Sequence, residues 1–222
     1  MNPYINIHTH QHNIDKDFIE IINIDTEESL NVDVPFLYSV GIHPWKVKHG
    51  QEITRNGWQS LANFADTKLM AIGECGIDRA CDSDLEQQKY FFLKQIEISE
   101  RYRKPMIIHA VRAYSDIISI RKESKAKMPW IIHGFQGNEQ TCEQLLRHDE
   151  IYLSLGDVLY RNEKRATGLL KLITSDRLFL ETDVSERSIA EVYEKASLLS
   201  GRSLDELRSD IFNNFVKIFG KI

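Results

Sequence analysis

The chain has 222 residues, 28 of them Lys or Arg and 33 Asp or Glu, for a formal charge of −5, with 42% hydrophobic and 27% charged residues. That length and apolar content suffice for a buried core and exclude a disordered, collagenous or disulfide-scaffold chain. The acidic balance offers no clustered basic surface for coating nucleic acid, and no apolar run approaches the roughly 20 residues of a membrane span.

Cys75, Cys81 and Cys142 form no CxxC pair, which fits a reducing compartment and argues against a cysteine zinc knuckle. The opening MNPYINIHTH lacks a basic stretch followed by an apolar one, so no signal peptide is expected and the setting reads as cytoplasmic. No repeat or linker divides the chain, so the expectation is a single domain over residues 1–222.

Taken in chain order, short apolar or β-branched runs predict strands at Tyr4–Ile7, Ile19–Ile24, Phe36–Val40, Leu69–Ile72, Met106–Ile108, Trp130–Ile132, Ile151–Leu155 and Leu178–Leu180. Amphipathic segments follow the later ones. Leu85, Phe92, Ile96 and Ser99 mark one face within Asp84–Arg103, Ile189, Val192, Ala196 and Leu199 another, and Leu204, Leu207, Ile211, Phe215 and Ile218 a third. Ser203 and Glu206 have the spacing of a capping box.

Strands alternating with helices imply a parallel sheet, and eight of them suggest an α/β TIM-like (β/α)8 barrel, shortened against the typical length of about 250 residues. Only about ten residues separate the first strand from the second and the second from the third, so those two crossovers are expected to lack full helices.

The sharper signal is where polar residues fall. Metal-ligating types stand at the C-terminal ends of the apolar runs: His8 and His10, His43, Glu74, His109, His133 and Asp183. In a barrel that is the face where active sites are built, and side chains two apart on a strand point the same way, so His8 and His10 aim together.

Each residue alone has a bland reading, as a hydrogen-bonded histidine, a loop carboxylate or, for Asp183, a helix cap. Their convergence on one rim is unfavourable without a cation to compensate. Six N/O ligands exceed the need of one four-coordinate ion and suit two sharing a carboxylate. The expected sets are His8, His10, Glu74 and Asp183 for one ion, and His109, His133 and Glu74 for the other, with Glu74 bridging. Zinc, manganese, magnesium and nickel all accept such donors.

His43 reads either as a substrate contact or as a loop hydrogen bond, and Arg112 as a phosphate clamp or a surface arginine. His12, His49 and His148 fall in polar segments and are expected in solvent, and Cys75 is expected to pack. No P-loop, dinucleotide fingerprint or GxSxG elbow is present.

The ordered set His8-Thr9-His10, Gly-Ile-His-Pro-Trp at 41–45, Ala-Ile-Gly-Glu-Cys-Gly-Ile-Asp at 71–78, Pro-Met-Ile-Ile-His at 105–109, Ile-Ile-His-Gly-Phe-Gln-Gly at 131–137 and Leu-Glu-Thr-Asp at 180–183 resembles the TatD-type metal-dependent deoxyribonucleases of the amidohydrolase superfamily. The similarity runs from about residue 5 to Phe219.

The resemblance implies a TIM-like barrel with one or two divalent metals and hydrolysis of DNA phosphodiesters, often from the 3′ end. Carried over by motif, His8, His10, Glu74, His109, His133 and Asp183 are the metal positions, and His43 stands near the substrate phosphate. The sequence departs from the family's usual pattern at Asn6, where an Asp is usual, near Val184-Ser185, where a proline usually follows Glu-Thr-Asp and the loop beyond Asp183 is cut short, and at Val111-Arg112, where the arginine comes one residue later.

The expected function is deoxyribonuclease action by a water that two metals activate, with Asp183 as proton acceptor, Glu74 as bridge and His43 at the phosphate. The expected substrate is DNA, single-stranded or at 3′ ends, with no membrane and no obligate protein partner. The rivals are a small-molecule amidohydrolase, phosphoesterase or lactonase on the same site, and a non-catalytic metal-binding module.

Overall fold

A computed structural model describes residues 2–11, 17–25, 34–48 and 63–221. Strands occur at all eight predicted places: β1 (Tyr4–Thr9), β2 (Phe18–Asp25), β3 (Leu37–Gly41), β4 (Leu69–Asp78), β5 (Met106–Val111), β6 (Trp130–Ile132), β7 (Ile151–Leu155) and β8 (Leu178–Leu180). The helices are α1 (Leu85–Tyr102), α2 (Tyr114–Ser124), α3 (Glu139–Leu146), α4 (Val158–Arg161), α5 (Glu163–Leu172), α6 (Ile189–Ser200) and α7 (Leu204–Phe219).

The strands make one sheet in chain order from β1 to β8, and the β1–β2, β3–β4, β4–β5 and β7–β8 pairs are parallel. This is the (β/α)8 barrel that the alternation of elements predicts. The expectation of helix-free early crossovers falls on residues 12–16 and 26–33, outside the described residues, as do His12 and His49.

The chain packs as two compact units, Met1–Ile22 with Ile131–Ile222, and Asn23–Trp130. In the first, β1 carries Ile5 and Ile7 into a core completed by Leu153, Leu155, Phe179 and Leu180, all fully buried. Helices α6 and α7 bury Ile189, Val192, Ala196, Leu207, Ile211 and Phe215, the predicted stripes, while Leu199, Leu204 and Ile218 at their margins are half-buried.

The capping box predicted at Ser203 and Glu206 is formed, and Ser188 with Glu191 makes a second at the start of α6. Asn6 spends its side chain within this unit: its Nδ2 donates to Glu20 Oε1 (3.0 Å) and Thr182 Oγ1 (2.8 Å), and its Oδ1 accepts from the Thr182 N–H (3.0 Å).

In the second unit β4 runs to Asp78, six residues past the predicted end, and every residue in it is buried. Gly73 and Gly76 read as stop signals in the sequence. Here they let two backbones approach. A Cβ at Gly76, where φ is +142°, would sit 2.0 Å from the His109 carbonyl oxygen of β5.

Helix α1 is capped by Asp84, whose carboxylate accepts from the Gln87 N–H (2.8 Å), and buries Phe91, Phe92, Ile96 and Ser99. It also buries two glutamines. Gln95 pairs with both backbone groups of Ile42 (2.7 and 3.2 Å), and Gln88 with both of Asp78 (2.8 and 3.0 Å). The helix thereby satisfies the strand ends that carry the next residues, His43 after Ile42 and Arg79 after Asp78, at about a net 1 kcal/mol per hydrogen bond.

Candidate metal centres

Each unit holds its own cluster of ligating side chains. In the first, His8 and His10 project from the end of β1 with ring centroids 5.1 Å apart, as their spacing of two predicts. Asp183 follows β8 and is tied to β1 by the backbone: its N–H donates to the His8 carbonyl (3.0 Å), and its own carbonyl accepts from the His10 N–H (3.3 Å). Its φ of 53° is left-handed, a region that aspartate tolerates better than most side chains.

That placement puts Asp183 Oδ1 3.4 Å from His8 Nε2 and 3.5 Å from His10 Nε2. Two ligands at about 2.1 Å from a tetrahedral ion stand about 3.4 Å apart, so the spacing and the all N/O chemistry fit one divalent cation. His8 is fully buried, whereas His10 is exposed.

His133, directly after β6, packs its ring 4.3 Å from that of His8. Its Nδ1 lies 3.4 Å from Oε1 of the buried Glu181, which also accepts from the Gly134 N–H at 2.6 Å. A carboxylate behind one ring nitrogen favours the tautomer in which Nε2 is the nitrogen that could hold a metal. Beside Asp183 opens a cavity of about 900 Å3, lined in part by Gly134, Gln136, Tyr160, Thr182 and Arg187.

The second unit brings together Glu74, His109 and His43. Glu74 Oε1 lies 2.7 Å from His109 Nδ1 and 3.1 Å from His43 Nε2, with Glu74 and His109 both almost fully buried. Glu74 stands within β4, its N–H donating to Asn23 Oδ1 at 2.7 Å. On the far side of His109, Nε2 faces Asp78 Oδ2 at 3.1 Å. Asp78 therefore takes the Nε2 hydrogen bond and leaves Nδ1 facing Glu74 Oε1 at hydrogen-bond distance.

His43 is bound differently. Its Nδ1 accepts from the Trp45 N–H at 3.2 Å, so its neutral ring carries the proton on Nε2, aimed at Glu74. That makes it a donor rather than a ligand.

Asp78, the last residue of the 71–78 motif, is a candidate site residue to which the motif reading gave no role. It is buried, and it accepts from Trp45 Nε1 (2.6 Å) and from the Ala80 N–H (2.7 Å) as well as facing His109. Burial pushes its carboxyl up, but the bonds from Trp45, Ala80 and His109 prevail and hold it below the usual carboxylate range. Its position four residues after Glu74, on the same strand face, was the available signal. Glu181, two before Asp183, was missed in the same way.

Arg112 is exposed, with a left-handed backbone. His148, expected in solvent, is half-buried. Cys75 packs as expected, fully buried, with burial and the neighbouring Glu74 raising its thiol well above the ordinary value. All three cysteines are free thiols. Among the described residues no helix is long and apolar enough to cross a membrane.

Comparison with known proteins places the chain in a family. A family model described as TatD related DNase matches residues 11–220. The chain is 30% identical over 154 residues to an uncharacterized metal-dependent hydrolase of Buchnera aphidicola subsp. Acyrthosiphon pisum, covering 66% of this chain and 58% of that one. It is 36% identical over 122 residues to the uncharacterized metal-dependent hydrolase YabD of Bacillus subtilis, covering 54% and 48%. The matches thus span only about half of these relatives' own lengths.

Among solved structures, the TatD homologue YjjV of Escherichia coli K12 superposes with a TM-score of 0.82 over 99% of this chain and 98% of that one, at 19% identity. A hydrolase TatD family protein of Entamoeba histolytica gives 0.81 over 99% of both chains, at 17% identity. At those identities the superpositions speak for the barrel, and the extent of the family match settles membership: the chain belongs to the TatD-related DNase family.

Proposed function

We propose that the chain is one metal-dependent hydrolase domain that cleaves DNA phosphodiesters, working on single strands or 3′ ends in the cytoplasm. The observation that carries this is the paired construction of the clusters. In each, a histidine has one nitrogen on a buried carboxylate, His133 on Glu181 and His109 on Asp78, so that the other nitrogen is offered to a cation. Structural histidines do not need that arrangement in duplicate.

The metal positions proposed are His8, His10, Glu74, His109, His133 and Asp183. Divalent ions held there would neutralise phosphate charge and acidify water, which is the chemistry that phosphodiester hydrolysis requires. Magnesium, manganese, zinc and nickel all suit the donors, imidazole favouring the transition metals.

The chain's own groups do the rest. Asp183, whose backbone is fixed to His8 and His10, is placed to accept the proton of the attacking water. His43 holds its Nε2 proton towards the cluster and donates it as a hydrogen bond to a phosphate oxygen. The cavity beside Asp183 supplies room for a nucleotide. The DNase description of the family model supports nucleic acid as substrate, and the three free thiols accord with a reducing compartment.

The test is turnover by metal-reconstituted protein with 3′-labelled single-stranded DNA, RNA, lactones and p-nitrophenyl phosphoesters in parallel. DNA cleavage that chelation and Glu74→Ala both abolish supports the reading. Cleavage that survives both belongs to a contaminant, and turnover of lactones alone moves the protein to the small-molecule class.

A further inference from the structure

We propose that Trp45 is a stacking platform for a nucleobase of the bound strand, a reading that rests on the proposed nuclease function. Trp45 is 65% exposed, although burying a large aromatic ring is normally among the strongest contributions to folding. It sits on the short turn Pro44–Lys46, where proline fixes the backbone.

The ring is open to solvent but not loose. Its Nε1–H donates to Oδ2 of the buried Asp78 at 2.6 Å, and it makes a T-shaped contact with the His43 ring, centroids 4.9 Å apart and planes at 83°. The His109 ring lies 6.1 Å away. An exposed aromatic surface is thus held in one orientation beside Glu74, His109 and His43, so binding a partner to it requires little further ordering.

The chemistry selects the occupant. A rigid, uncharged π surface next to a phosphate-binding cluster suits a planar ring linked to a phosphate, and every nucleobase offers such a face whatever its sequence. Asp78 then has two tasks on one carboxylate, steadying the indole and orienting His109, so that base and phosphodiester are registered against the same buried group. A purely structural role for Trp45 would require the N–H bond to Asp78 but not the ring surface, and that difference can be measured.

The experiment is equilibrium binding of two fluorescein-labelled oligomers of equal length, oligothymidylate and an abasic backbone, both with phosphorothioate linkages, to manganese-loaded full-length protein at one salt concentration. The expected result is a preference of about tenfold for the base-bearing oligomer. Trp45→Ala removes that preference, while Trp45→Phe, with a ring but no N–H, keeps most of it.

A wild-type protein without base preference overturns the proposal, as does an unchanged preference in Trp45→Ala. Equal loss in the Phe and Ala variants also overturns it, because the hydrogen bond alone would then be responsible. DNA cleavage without base preference removes the platform and leaves the nuclease, whereas base preference without cleavage does the reverse.

Discussion

The Nε2 atom of His109 lies 3.1 Å from Oδ2 of Asp78, on the side of the ring opposite Glu74, which approaches Nδ1 at 2.7 Å. The two carboxylates occupy positions 74 and 78 of one strand and face the same way. In the proposed site, Glu74 would meet a cation and Asp78 would orient the imidazole beside it.

Asp78→Asn keeps the shape and removes the charge behind His109. Metal affinity is expected to fall about 10- to 100-fold, with a parallel loss of kcat/KM. Calorimetric titration with manganese checks the first and initial rates the second. Undiminished affinity would mean that His109 is oriented by something else.

Divalent ions should stabilise the folded chain by mass action. At a hundred times the dissociation constant the gain is about 2.7 kcal/mol for one site. Melting followed by circular dichroism with manganese and with EDTA measures the shift, and His8→Ala is expected to reduce it. A melting temperature indifferent to both ions and chelator would contradict the site.

Gly76→Ala is expected to cost on the order of 3 kcal/mol or more, since the residue has a φ of +142° and the new Cβ would meet the His109 carbonyl oxygen of β5. Urea unfolding gives the number. The damage should extend to metal binding, because the clash falls on the strand that carries His109.

Asp116 accepts two bonds from the Arg79 guanidinium (2.7 and 2.8 Å), chiefly for which its carboxyl is held below the ordinary value. A carboxylate depressed in the folded state adds stability above its unfolded pKa of about 3.9, and that stability is lost as the pH falls through the folded value. Asp116→Asn should therefore lower stability most near neutrality and flatten its acid-side decline, the variant and the wild type converging as the carboxylate of the latter is protonated. Denaturant midpoints from pH 6 downward test the sign.

The eight strands, the stripes of α6 and α7, the Ser203 box and the ligating residues at strand ends were all legible in the sequence, because each rests on a pattern a few residues long: a run of apolar side chains, a period of 3.6, or a polar residue where the run stops. The end of β4 was not, since Gly73 and Gly76 look like punctuation until β5 is beside them.

Which residues support the ligands was decided only in three dimensions. The Trp45 bond to Asp78 spans 33 positions, that of Gln95 to Ile42 spans 53, and the approach of Glu181 to His133 spans 48. Such pairs have no local signature, because a buried polar group takes whatever partner the packed strands bring within reach. Sequence alone supplied the candidate ligating residue types and their places on the strands; folding chose the nitrogen that His109 and His133 present, through the carboxylate each meets on its other side.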